Sequence, residues 1–70
     1  MKIDGMSFID ILNNFRARNV DFKFKDGTER TIFVNEIENE EDDQPGTIFM
    51  ADDPKDDVRL SDVVSAKVLD

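Results

Sequence analysis

Residues 20–34, VDFKFKDGTERTIFV, constrain the fold of this chain more than any other stretch. Val20, Phe22 and Phe24 alternate with Asp21, Lys23 and Lys25, the period of two that buries one face of a strand and leaves the other wet. Asp26-Gly27 closes the run with a turn signal, because glycine takes a positive φ without a Cβ clash. The alternation also makes the register decidable, since a slip of one residue moves every side chain to the opposite face. A two-residue loop would set Phe24 beside Glu29 and Asp21 beside Ile32, mixing core with charge. A three-residue loop of Lys25, Asp26 and Gly27, with Gly27 as the left-handed residue of a G1 bulge, pairs Phe24 with Thr28, Phe22 with Arg30 and Val20 with Ile32. Val20, Phe22, Phe24, Ile32 and Val34 then share one face. Lys23 meets Glu29 on the wet face, an opposite-charge pair worth about 0.2–1 kcal/mol.

Before the hairpin, residues 1–5 are too short to assign, though Lys2-Ile3 could extend an edge strand, and Ser7 reads as a helix N-cap, with Asp10 three residues on and Met6 and Ile11 at the spacing of a hydrophobic staple. Phe8, Ile11, Leu12 and Phe15 recur on one helical face. The spacing predicts a helix over about 8–18, with Arg16 and Arg18 against the negative end of its dipole and Asn19 as a left-handed stop. After the helix the predicted strands are about 20–25, 29–37, 47–51, 58–60 and 64–69. In the third of these Ile48 and Met50 take one face and Phe49 the other; in the last, Val64, Ala66 and Val68 alternate with Ser65 and Lys67. Phe33 and Phe49 therefore point away from the expected core, either covered by the helix stripe or forming an apolar patch for self-association. The expected class is α+β, mainly β: an N-terminal amphipathic helix followed by a five-stranded, strongly bent antiparallel sheet closing into a small barrel, which removes exposed sheet edges.

At 70 residues the chain makes a single domain, 1–70, near the size at which only about 60% of the unfolded surface is buried on folding. It has no cysteine and no histidine, so neither disulfides nor a Cys/His zinc site can supplement the core, and oligomerisation is a source of further burial. There is no apolar run of membrane-spanning length and no signal-peptide pattern, which predicts a soluble cytoplasmic protein without membrane contact. Charge is uneven. The net charge is -8; residues 1–35 hold six cations against five acids, and residues 36–70 hold three against twelve.

Phe24-Lys25-Asp26-Gly27 and Val58-Arg59-Leu60-Ser61-Asp62-Val63-Val64, with the preceding amphipathic helix, resemble the Sm-like and SH3-like small barrels, the second segment matching a short strand, a single helical turn and a closing strand. Acidic single-domain proteins in that group, similar to the Rho-antiterminator family, act by binding a protein, whereas typical Sm members form rings and bind RNA. The resemblance implies one or the other activity.

The residues allow several chemistries to be weighed. Without histidine or cysteine, and with Ser7, Ser61 and Ser65 in structural positions, the inventory for general acid-base or nucleophilic catalysis is missing, and no enzyme activity or cofactor is expected. Asp52, Asp53, Asp56 and Asp57 offer hard oxygen ligands, but the spacing, central glycine and terminal glutamate of a calcium loop are absent, so a solvated turn is expected and no metal site is assigned. Arg16, Arg18, Lys23, Lys25 and Arg30 form the alternative, a nucleic-acid face, which the overall charge opposes at long range unless a ring of subunits concentrates it. The acidic run Glu38, Glu40, Glu41, Asp42 and Asp43, expected to be extended, wet and mobile, points to a protein-binding or regulatory module that engages a basic partner. A structural subunit of a larger assembly, or a homo-oligomer, is the remaining reading.

Overall fold

The computed structural model describes residue 3 and residues 5–70; Lys2 lies outside them, and Ile3 is buried but not in a strand. Helix α1 spans Phe8–Phe15. Ser7 caps it, its Oγ accepting from the Asp10 N–H at 3.2 Å, and Ile11 and Phe15 are its buried positions. The helix stops three residues before the expected Arg18, because Arg16 is already extended and Ala17 turns left-handed at φ 61°. The Ala17 N–H then donates to the Val34 carbonyl at 2.7 Å, which compensates for a conformation a β-carbon disfavours. Asn19, expected as the stop, lies within the first strand.

Strands β1 (Arg18–Phe24) and β2 (Glu29–Val34) pair in the expected register, Phe22 with Arg30, Val20 with Ile32 and Lys23 with Glu29. The turn is the bulged one: the Gly27 N–H donates to the Phe24 carbonyl at 3.0 Å, the Phe24 N–H to the Thr28 carbonyl at 2.9 Å, and Gly27 has φ +90°.

Beyond Val34 the chain departs from expectation. The predicted strand 29–37 breaks at Asn35, where the N–H donates to the Met50 carbonyl at 2.8 Å, so pairing switches from β1 to a new neighbour. Three short strands follow: β3 (Glu36–Glu38), β4 (Ile48–Met50) and β5 (Val58–Arg59); β6 (Val63–Val68) then returns to β1. Among the described residues the result is six antiparallel strands in two three-stranded sheets, β2-β1-β6 and β3-β4-β5, not one five-stranded sheet closed into a barrel. Strands of two or three residues give ladders too short to continue around a cylinder.

Two face assignments change. The β1/β6 register shifts between Lys23 and Phe24, pairing Phe24 with Val63, so Val63 is buried and Val64, expected inside, is 50% exposed. Phe49 is completely buried. Its ring centroid lies 4.9 Å from that of Phe22 and 6.0 Å from that of Phe15, the latter edge-on. It therefore joins both sheets and the helix, while Ile48 and Met50 are half-buried. Phe33 remains 42% exposed; the helix stripe is spent on the core and does not cover it.

Candidate functional site

The charge imbalance follows the architecture. Residues 36–60, which form the second sheet and its connections, contain ten acids and two cations, a balance of -8 equal to the charge of the whole chain. The first sheet, the helix and the flanking segments sum to zero. One half of the molecule is thus a concentrated negative surface, and a field of this kind acts on partners over about a Debye length.

Within that half the acidic run is shaped, not extended. Glu40–Asp42 forms a single 3-10 turn. Asn39 caps it: its Oδ1 accepts from the Glu41 N–H at 3.0 Å, and the Asp42 Oδ2 accepts from the Asn39 N–H at 3.2 Å. Asp43 follows with φ 66°, the left-handed position that short polar residues tolerate. Gln44 closes the loop, its N–H donating to the Asn39 carbonyl at 3.2 Å and its Nε2 to the Glu38 Oε1 at 3.0 Å. The five expected residues therefore divide by role. Glu38 and Asp42 hold the loop, whereas Glu40, Glu41 and Asp43 are exposed and make no side-chain hydrogen bond or ion pair among the described residues. Asn39 and Gln44, which fix this geometry, were missed in the sequence; the Asn39-x-x-Asp42 spacing is the capping-box signal that reveals one of them.

The second acidic turn is organised differently. Asp53 accepts from the Lys55 N–H at 3.1 Å and pairs with the Lys55 ammonium at 3.5 Å. Asp57 accepts from the Ala51 N–H at 2.9 Å, and Asp52 from the Asn35 side-chain amide. Asp52, Asp53 and Asp57 thus serve separate donors around the Pro54–Asp56 turn, and among the described residues no three acids converge as a metal ion requires.

The five cations of the alternative face are scattered. Arg16 pairs with Glu36 at 3.2 Å. Arg18 donates to the Asp70 carbonyl at 3.1 Å. Lys23 lies on the outer sheet face opposite Glu29, and Lys25 is at the hairpin tip. Arg30 sits on the inner face, 5.4 Å from the Phe24 ring centroid, and donates to the Asp56 carbonyl at 3.2 Å, which fastens the Pro54–Asp56 turn to the first sheet. A cleft of about 530 Å³ beside the hairpin is lined by Phe24, Lys25, Arg30 and Thr28 but also by Asp26, Glu29 and Asp62. Its charges are mixed, and it offers no continuous cationic track for a phosphate backbone.

Among the described residues three carboxyls depart from their ordinary range, all exposed and all on the near-neutral half. The Thr28 hydroxyl and N–H hold Asp26 low. Asn19, through its backbone and side-chain N–H groups at 2.8 and 2.7 Å, holds Asp70 low with help from Arg18. A hydrogen bond to the Asp21 carboxyl and its charge push Glu29 up, against the pull of Lys23. Among the described residues no polar or charged side chain is buried. No helix among the described residues is long and apolar enough to cross a membrane. Compared with known proteins, the chain matches no family model, no curated protein and no solved structure.

Proposed function

We propose that this chain is a small, non-enzymatic protein-binding or regulatory module whose acidic half engages a basic partner, with Glu40, Glu41 and Asp43 making the first contacts. The observation that carries this reading is the confinement of the whole net charge to the second sheet and its loops, with three carboxylates there left unengaged on a capped turn. A turn already shaped has less conformational entropy to lose on binding than an extended loop. A basic nucleic-acid-binding protein is a fitting partner class, because its cationic surface is complementary to this one. The dispersion of Arg16, Arg18, Lys23, Lys25 and Arg30 gives the RNA-binding alternative no comparable support.

The fold reading that accompanies this proposal is a small SH3-like or Sm-like barrel left open. Its support is the nearly continuous run from Glu29 to Glu38, which serves one sheet on each side of Asn35. Fold alone does not choose between protein and RNA partners.

The test is affinity capture from native lysate with the wild-type chain and with the triple variant E40Q/E41Q/D43N, followed by mass spectrometry. These substitutions remove three charges without touching the bonds of Asn39, Asp42 or Gln44. The proposal expects a basic protein on the wild type and its depletion on the variant. Equal recovery on both, or recovery of RNA alone, refutes it.

A further inference from the structure

The chain contains two Asp-Gly steps, Asp4-Gly5 and Asp26-Gly27. At such a step the glycine amide has no side chain to shield it, so its nitrogen can reach the preceding carboxyl carbon. At the hairpin this reaction would form a bond from the Gly27 nitrogen to Asp26 Cγ and release one water, giving a five-membered succinimide. The ring then takes one water back. Opening at one carbonyl restores the original chain; opening at the other leaves the backbone running through the former side-chain carboxyl, one atom longer, with no net change in composition or oxidation state.

Attack requires a neutral carboxyl free to turn towards Gly27 and an amide free to give up its proton. The folded hairpin opposes both. Asp26 Oδ1 accepts from the Thr28 N–H at 2.9 Å and from the Thr28 Oγ1–H at 2.6 Å, while the Gly27 N–H is held by the Phe24 carbonyl at 3.0 Å. Crowding on the open side of the turn plays no part, since a β-carbon placed on Gly27 would meet nothing within 4 Å beyond its chain neighbours. We infer that Asp26-Gly27 is a site of spontaneous aspartyl isomerisation and that the Thr28 hydroxyl sets its rate in the folded protein. The bonds from Thr28 also hold the Asp26 carboxyl below its ordinary range, which makes the reactive neutral form scarcer still. An added backbone atom in a three-residue turn disrupts the bonds that fix the β1/β2 register, so the isomerised chain is a distinct and less stable species.

The wild-type chain, T28V and T28S are aged at neutral pH, at a temperature where circular dichroism shows all three folded. Peptide mapping and an isoaspartate-specific carboxyl methyltransferase then read each Asp-Gly step separately. T28V is expected to accumulate isomerised Asp26 several-fold faster than wild type and T28S, with Asp4 unchanged in all three; in urea the three rates at Asp26 converge and exceed the folded wild-type rate. Equal rates at Asp26 in folded wild type and T28V overturn the inference. So does a T28S rate matching that of T28V, or a difference that persists in urea.

Discussion

Replacing Phe49 by alanine should unfold this protein, and the size of the effect can be worked from its surroundings. The ring is fully buried and contacts Phe15 and Phe22, so it touches the helix and both sheets at once. Truncating a core Phe to Ala costs about 3–5 kcal/mol, including the cavity left behind, and each aromatic pair adds about 0.5–1.5 kcal/mol beyond area burial. A chain of 70 residues holds in total only about 4–10 kcal/mol. F49A therefore consumes most or all of the stability. F49L keeps much of the volume and loses the ring contacts; at about 1–1.5 kcal/mol it should lower Tm by roughly 5–10 °C. Phe33, at 42% exposed, provides the control: F33A should stay within about 0.5 kcal/mol of wild type. With no Trp or Tyr, the assay is urea and thermal unfolding followed by far-UV circular dichroism. An F49A chain that melts within a few degrees of wild type, or an F33A chain that loses as much as F49A, refutes the placement of Phe49 at the centre of the core.

Other outcomes follow from local geometry. G27A should cost about 1–2 kcal/mol, because a β-carbon at φ +90° is strained even where the space is open, whereas G46A, with open space and no positive φ, should be neutral or slightly stabilising by urea titration. S7A removes the helix cap and should lower stability by about 1 kcal/mol. Asp70, whose carboxyl is held low in the fold, contributes stability that is present above its unfolded pKa and lost as pH falls through its folded value. D70N should accordingly flatten the acid limb of a Tm-against-pH curve. Glu29 has the opposite sign: raised in the fold, it contributes below its unfolded pKa and loses that contribution as pH rises through the folded value, so E29Q should gain on wild type as pH rises across the carboxylate range.

The parts of the fold legible in the sequence are those with a long repeating signal and a conformationally special residue. The hairpin satisfied both: the alternation from Val20 to Lys25 and a glycine at positive φ fixed its register. The short strands did not. In TIFMA, parity separates Phe49 from Ile48 and Met50 but does not say which set faces inward; the packing of Phe49 against Phe15 and Phe22 does. The bulge opposite Lys23 and Phe24 reversed Val63 and Val64 for the same reason, since a single register shift cancels an argument from parity. The end of the helix was hidden because Ala17, an ordinary helix former, takes the left-handed position that Asn19 would take more easily. In the candidate site, composition located the acids, but their division into structural Glu38 and Asp42 and unengaged Glu40, Glu41 and Asp43 depends on hydrogen bonds from Asn39 and Gln44.

The association rate of the captured basic partner, measured by stopped flow over a range of salt concentrations, tests the central claim most directly. Steering by the acidic half should make the wild-type rate fall steeply with salt, within the roughly 10- to 1,000-fold range that such fields produce. For E40Q/E41Q/D43N the rate should be lower at low salt and converge with wild type at high salt, with unfolding unchanged. A wild-type rate indifferent to salt, or identical rates for the two chains throughout, would contradict the proposed role of the acidic surface.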